Sequence, residues 1–127
     1  MYKVSKTLQI SSSHVLDLPY DSPCSCIHGH NWIITVCVAS TTLNKAGMVI
    51  DFMVIKEVVM AYDHRHINSV SNKQTKRMGQ NPTAENMARW IAEDLDVILS
   101  KPDSNLHAVV HEVTVQESEG NVACYIP

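Results

Sequence analysis

The chain has 127 residues, 45% of them apolar and 18% charged, with a formal net charge of -3. That balance is of an ordinary globular protein; it excludes disorder and any bulk attraction to nucleic acid, so an anionic ligand must be held locally. A chain of this length forms one domain, residues 1–127, burying roughly two thirds of its unfolded surface without help from disulfides.

The start, Met1-Tyr2-Lys3-Val4-Ser5-Lys6, lacks the apolar run of a signal peptide, and no stretch approaches the roughly 18 apolar residues of a membrane span. A cytoplasmic address with no membrane partner is the expectation. From Tyr2 to about Ser12 apolar and polar residues alternate, which predicts a half-buried strand that delivers His14 at its end. Val15 to Ser25, with Pro19, Pro23, Asp17 and Asp21, has the chemistry of a turning loop. His30 to Ala39 is rich in β-branched and aromatic side chains and fits a second strand antiparallel to the first, with Cys37 as a small core hydrophobe.

After a polar turn over residues 40–47, the spacing of Ile55, Val58, Val59 and Tyr62 predicts a helix, with Asp51 as its N-cap. A polar loop carrying Lys73, Lys76 and Arg77 runs on to Pro82. Thr83 then caps a second helix with Glu85 in its first turn and an apolar stripe from Met87 through Ala88, Ile91, Leu95 and Ile98 to Leu99, ending at Lys101-Pro102. His107 to Glu117 alternates like a strand, Ser118-Glu119-Gly120-Asn121 is a hairpin turn, and Val122 to Ile126 closes the chain. The expected class is therefore α+β: a four-stranded antiparallel sheet in ββααββ order with both helices on one face. Its open edges predict self-association.

The densest chemistry is Cys24-Ser25-Cys26-Ile27-His28-Gly29-His30-Asn31. In an extended segment residues i and i+2 share a face about 6.5–7 Å apart, so His28 and His30 converge on one ion. With His14 supplied by the pairing of the first two strands, three imidazoles make a zinc site whose fourth position stays open, the geometry of catalytic zinc. The competing site uses Cys24, Cys26, His28 and His30; extended, Cys24 and His30 lie roughly 20 Å apart, so the chain must bend sharply to collect all four. A third reading leaves His28 and His30 as plain polar residues of a strand surface. The four cysteines read as free thiols or metal chemistry rather than as a disulfide framework. A thiol near a metal or an imidazole ionises more readily, which gives Cys24 a role as general base and leaves Cys26 a bystander. Asp63-His64 is a weak pair by adjacency alone, Glu117 sits at a strand end where a carboxylate is usually solvated, and His66, His107 and His111 add no argument.

Taken in order, Ile10-Ser11-Ser12-Ser13-His14, Cys24 followed after three residues by His28-Gly29-His30-Asn31, Asp51-Phe52, Asp63-His64 before Ile67-Asn68, Asn81-Pro82-Thr83-Ala84-Glu85-Asn86, and Val115-Gln116-Glu117 before Ala123-Cys124-Tyr125 resemble the 6-pyruvoyltetrahydropterin synthase family. The gap between Cys24 and His28 is similar to that of its 6-carboxytetrahydropterin synthase branch, of queuosine biosynthesis. The resemblance implies the tunnelling fold (T-fold), a homohexamer built as a dimer of trimers with sites at subunit interfaces, and a pterin substrate. It implies Zn2+ on His14, His28 and His30, and conversion of 7,8-dihydroneopterin triphosphate to 6-carboxy-5,6,7,8-tetrahydropterin with loss of acetaldehyde and triphosphate. Cys24 then takes a proton, His64 with Asp63 as its charge partner shuttles protons, and Glu117 both binds the pterin edge and joins the proton relay. Thr83 lines the pterin pocket, and Lys73, Lys76 and Arg77 are candidates for the triphosphate. Ile10, Ser12, Ser13 and Ser118 depart from residues common in the family at those places, which bears on pocket shape and removes no ligand or proton carrier. Within the resemblance the alternatives are pyruvoyltetrahydropterin synthase and a non-catalytic zinc-stabilised pterin-binding module.

Overall fold

The computed structural model describes residues 1–72, 77–101 and 107–127. Strand β1 (Tyr2–His14) turns Leu8, Ile10 and Ser12 inward and Thr7, Gln9 and Ser11 outward, as its alternation requires. It pairs antiparallel with β2 (His28–Ser40), and a sheet of order β1-β2-β3-β4 follows, completed by β3 (Val109–Ser118) and β4 (Asn121–Tyr125). The hairpin between β3 and β4 places Gly120 at φ +81°, a left-handed conformation that other residues adopt only at a cost.

Among the described residues three helices lie between the strand pairs: α1 (Phe52–Met60), α2 (Ile67–Asn72) and α3 (Ala84–Leu99). The Asp51 carboxylate accepts the Met53 N–H at 2.8 Å and the Thr83 hydroxyl accepts the Asn86 N–H at 3.2 Å, so both predicted caps form. Ile55 and Val59 of α1 and Met87, Trp90, Ile91 and Leu95 of α3 close on Trp32, Ile34, Val36, Val113 and Val115 of the sheet in one core. Cys37 is buried, as a small hydrophobe should be. Among the described residues no helix is long and apolar enough to cross a membrane.

The element order is ββαααββ and not the expected ββααββ. The additional helix is α2, whose segment Ile67-Asn-Ser-Val-Ser-Asn72 is too short and too rich in Ser and Asn to signal a helix, because those side chains compete for the backbone. Tertiary packing forms it instead, with Ile67 fully buried in the core.

Arg77 corrects a second expectation. It is neither a solvated loop cation nor available for a phosphate: it is 4% exposed and bonds Asp94 Oδ1 at 2.8 Å, Glu93 Oε2 at 3.2 Å, the Tyr62 hydroxyl at 3.1 Å and the Trp90 carbonyl at 3.1 Å. Burial works against its charge, but the Asp94 hydrogen bonds and the Tyr62 and Asp94 charges outweigh it and raise its pKa. Burial, followed by Asp94, likewise raises the Tyr62 phenol far above its usual range. Lys73 and Lys76, the other two candidates for the triphosphate, lie outside the described residues, as does Pro102. We expect Arg77→Ala to lower unfolding free energy by roughly 2–4 kcal/mol in urea titrations, because it takes the guanidinium from Asp94, whose remaining donor is the Tyr62 hydroxyl at 2.6 Å, and leaves the Trp90 carbonyl and the Tyr62 oxygen without the N–H groups they accept; a change within about 0.5 kcal/mol, the range of ordinary surface substitutions, contradicts this.

Candidate metal centre

The register of β1 against β2 sets His14 opposite His28 and Ser12 opposite His30. Directly paired residues share a face, so all three imidazoles project on the helix side of the sheet, beyond the Ile10–Trp32 pair. One nitrogen from each of His14, His28 and His30 lies within 4.8 Å of the others. Hydrogen bonds set the ring tautomers. His14 Nδ1 donates to the Pro82 carbonyl at 2.8 Å and His28 Nδ1 donates to the Cys26 carbonyl at 2.7 Å; because a carbonyl only accepts, both rings carry the proton on Nδ1 and present the lone pair of Nε2. Nε2 of His14 and of His30 is buried without a hydrogen-bond partner. An unmatched buried nitrogen costs about 1–3 kcal/mol, and two such atoms converging with a third imidazole fit a metal ion, with two rings already oriented by outer carbonyls. Trp32 packs edge-on against His14 and His30, ring centres 4.9 and 5.0 Å away, and donates its Nε1–H to the Ser12 carbonyl at 3.2 Å.

Burial is the largest influence on the acidity of His14 and lowers its pKa; the Pro82 carbonyl and Glu117 oppose this and the neighbouring imidazoles add to it. His30 is lowered by burial first, with Glu117 opposing. Both rings are thus neutral near pH 7, the form that binds metal. The sign for stability follows from linkage: unfolding releases these rings to the ordinary value of 6.5, where they take up protons more readily than in the fold. The metal-free protein is therefore expected to hold this contribution in full above about pH 6.5 and to lose it as the pH falls toward the lowered folded values. Thermal melts in chelator from about pH 8 to about pH 5 check this; a melting temperature that rises as pH falls from 6.5 contradicts it.

Glu117, at the end of β3, brings its Oε1 to 3.3 Å from His30 Nε2 and lines a cleft of about 400 Å³ together with Glu85 and Asn121. Thr83 stands at the start of α3 with its hydroxyl engaged as the helix cap. Neither Cys24 nor Cys26 joins the histidine group, so the four-ligand run does not form. The loop between the strands instead holds a 3₁₀ turn, Pro23–Ser25, capped by Ser22. It leaves Cys24 half-buried and Cys26 exposed, and all four cysteines are free. Cys26 has a part that its side chain did not suggest, since its carbonyl orients His28.

Asp63 and His64 do touch, although adjacency alone did not require it: Asp63 Oδ2 is 2.9 Å from His64 Nδ1. The Asp63 Oδ1 accepts the Ser11 N–H at 2.8 Å, and this bond, ahead of His64, holds the Asp63 carboxyl below its usual pKa. His64 N–H donates to the Ser11 carbonyl and Ser13 N–H to the Arg65 carbonyl, so the segment lies along the outer edge of β1. There His64 sits at φ 53° with its side chain 82% exposed, a strained backbone for a residue with a Cβ. A cleft of about 550 Å³ lined by Ser11, Asn31 and His64 reaches from this edge to His30. Sequence reasoning passed over Pro82, whose backbone carbonyl carries no sequence signal, and His66, which accepts or donates at 3.0 Å with the Ser13 hydroxyl.

The sheet with its one-sided helices defines an α+β protein that carries, at the end of its first hairpin, three converging imidazoles able to hold a metal ion. A family model described as 6-pyruvoyl tetrahydropterin synthase matches residues 3–127, and the chain belongs to that family. Among its relatives, a Pyrococcus horikoshii protein provisionally named 6-carboxy-5,6,7,8-tetrahydropterin synthase is 36% identical over 103 residues, 80% of this chain but only 64% of that protein's length. The 6-carboxy-5,6,7,8-tetrahydropterin synthase of Bacillus subtilis is 26% identical over 127 residues, covering 99% of this chain and 86% of that one. The solved structure of Caenorhabditis elegans 6-pyruvoyl tetrahydropterin synthase superposes with a TM-score of 0.74 at 23% identity, covering 99% of this chain and 95% of that chain. That of the Plasmodium vivax synthase gives 0.65 at 18% identity, with 98% of each chain covered. These likenesses establish the fold.

Proposed function

We propose that the chain is a single-domain, zinc-dependent lyase of reduced pterins that converts 7,8-dihydroneopterin triphosphate to 6-carboxy-5,6,7,8-tetrahydropterin, acetaldehyde and triphosphate, in queuosine or 7-deazapurine biosynthesis. The observation that carries the reading is the convergence of three imidazoles, two of them (His14 and His30) with a buried Nε2 that makes no hydrogen bond, beside Glu117. The names of the Pyrococcus and Bacillus relatives and the three residues between Cys24 and His28 support the carboxy branch.

In this reading His14, His28 and His30 hold the ion, and zinc bound there supplies Lewis-acid polarisation of the substrate's side-chain oxygens. Cys24 accepts the proton released from a neighbouring C–H. Glu117 offers two acceptor oxygens to the pterin N3–H and 2-amino group, a pairing that rejects ligands lacking those donors. His64, held by Asp63, returns or shuttles protons, and Thr83 borders the pterin pocket. The active assembly is a homohexamer, a dimer of trimers in the T-fold manner, and works in the cytoplasm.

A second reading, 6-pyruvoyltetrahydropterin synthase, draws on the Drosophila melanogaster relative of that name, 26% identical over 104 residues. Incubation with 7,8-dihydroneopterin triphosphate and product identification separates the two. Acetaldehyde with the 6-carboxy pterin is expected; a diketo pterin selects the second reading, and no reaction leaves a pterin-binding module.

A further inference from the structure

We propose that Asn68 and Asn81 are positioning residues for Cys24, acting through the backbone of residues 15–17; the inference rests on the reading of Cys24 as proton acceptor. After His14 the outgoing chain loses β2 as its partner, because β2 begins at His28. Two asparagine side chains take over. The Val15 N–H donates to Asn68 Oδ1 at 3.0 Å and Asn68 Nδ2 donates to the Val15 carbonyl at 2.9 Å. Two residues on, the Asp17 N–H donates to Asn81 Oδ1 at 2.8 Å and Asn81 Nδ2 donates to the Asp17 carbonyl at 2.9 Å.

A side-chain amide carries the same donor and acceptor as a peptide group, so each asparagine serves as one rung of a strand ladder. In extended backbone the polar groups of residues 15 and 17 point one way and those of residue 16 the other. Leu16 accordingly turns its N–H to the Cys24 carbonyl, 2.9 Å away. The other end of the same turn is held by the bond from His28 Nδ1 to the Cys26 carbonyl. The turn bearing Cys24 is thus tied at one side to the residues that follow His14 and at the other to His28. The Asn81 carbonyl is itself held by Asn86 Nδ2 at 2.8 Å, which links the clamp to α3.

The chemistry requires asparagine. Aspartate of the same shape loses the donor and sets a negative charge against a carbonyl, and glutamine places the amide one bond too far. The test uses the zinc-loaded protein and its Asn68→Asp, Asn81→Asp and Asn81→Ala variants, the isosteric aspartates guarding against misfolding. Four quantities are read: bound zinc, kcat and KM separately, Leu16 amide hydrogen exchange, and alkylation of Cys24 by iodoacetamide resolved by fragment mass spectrometry. We expect zinc at the parental stoichiometry, KM within about twofold, and kcat down by roughly 10- to 100-fold, as for a catalytic group displaced by about 1 Å. Leu16 exchange and Cys24 alkylation both quicken while alkylation of Cys124 on β4 is unchanged. Unaltered Leu16 exchange and Cys24 alkylation overturn the proposal, as does loss of zinc in step with activity. Should the parent show no turnover, the reading of Cys24 as base fails, while exchange and alkylation still decide whether the clamp sets its position.

Discussion

Cys24→Ala is expected to keep one metal ion per chain and to lose about 100- to 10,000-fold in kcat, the usual contribution of a positioned proton acceptor. The two halves of that expectation come from different observations. Metal retention follows because the three converging nitrogens belong to His14, His28 and His30 without either thiol, and because the bond that holds the turn, from Leu16 to the Cys24 carbonyl, is a backbone bond that alanine preserves. Loss of rate follows from the proposed role: alanine has no atom that can take a proton, and the other thiol of the turn, Cys26, faces solvent. Metal analysis beside single-turnover kinetics reads both. A variant that loses stoichiometric zinc restores Cys24 as a ligand, and one that turns over at the parental rate removes it from the chemistry.

His28→Ala is expected to abolish stoichiometric metal binding, with affinity falling by more than the roughly 10- to 100-fold that loss of an outer hydrogen-bond partner costs. His28 is the better probe than His14, which is fully buried and bonds Pro82, because the half-buried His28 can be truncated with little damage to the core. The parent should gain about 2.7 kcal/mol of stability at a free zinc concentration a hundred times Kd, and so melt at a higher temperature. The variant should melt at the same temperature with and without it. Zinc-dependent stabilisation surviving in His28→Ala means that the ion sits elsewhere.

What the sequence disclosed depended on whether a feature is periodic. The alternation of β1 and β2 is a period-2 signal, and with the two strands taken as an antiparallel pair it leads to the gathering of His14, His28 and His30; the register itself, with His14 opposite His28 and β2 beginning at His28 rather than His30, comes from the structure. The stripe of α3 and its Thr83 cap are equally local signals. Features made by long-range contact were silent. The helix α2 exists because Ile67 finds the core, while its Asn and Ser residues argue locally for a loop. Arg77 looks like any loop cation until Asp94, Tyr62 and Trp90 are folded around it. The family resemblance makes Asp63 the charge partner of His64 and puts Glu117 at the pterin edge, but neither spacing nor burial pattern brings Asp63 onto His64, and nothing in the sequence set Glu117 against His30. The carbonyls of Pro82 and Cys26, which orient two of the imidazoles, carry no signature because every residue has one.

The most direct test of a metal-dependent pterin lyase is acetaldehyde release from 7,8-dihydroneopterin triphosphate by protein stripped of metal and then titrated with zinc. Acetaldehyde should be absent from the stripped protein, rise with added zinc, and level off at one ion per chain. Acetaldehyde formed equally without metal, or none formed at full zinc occupancy, contradicts the account.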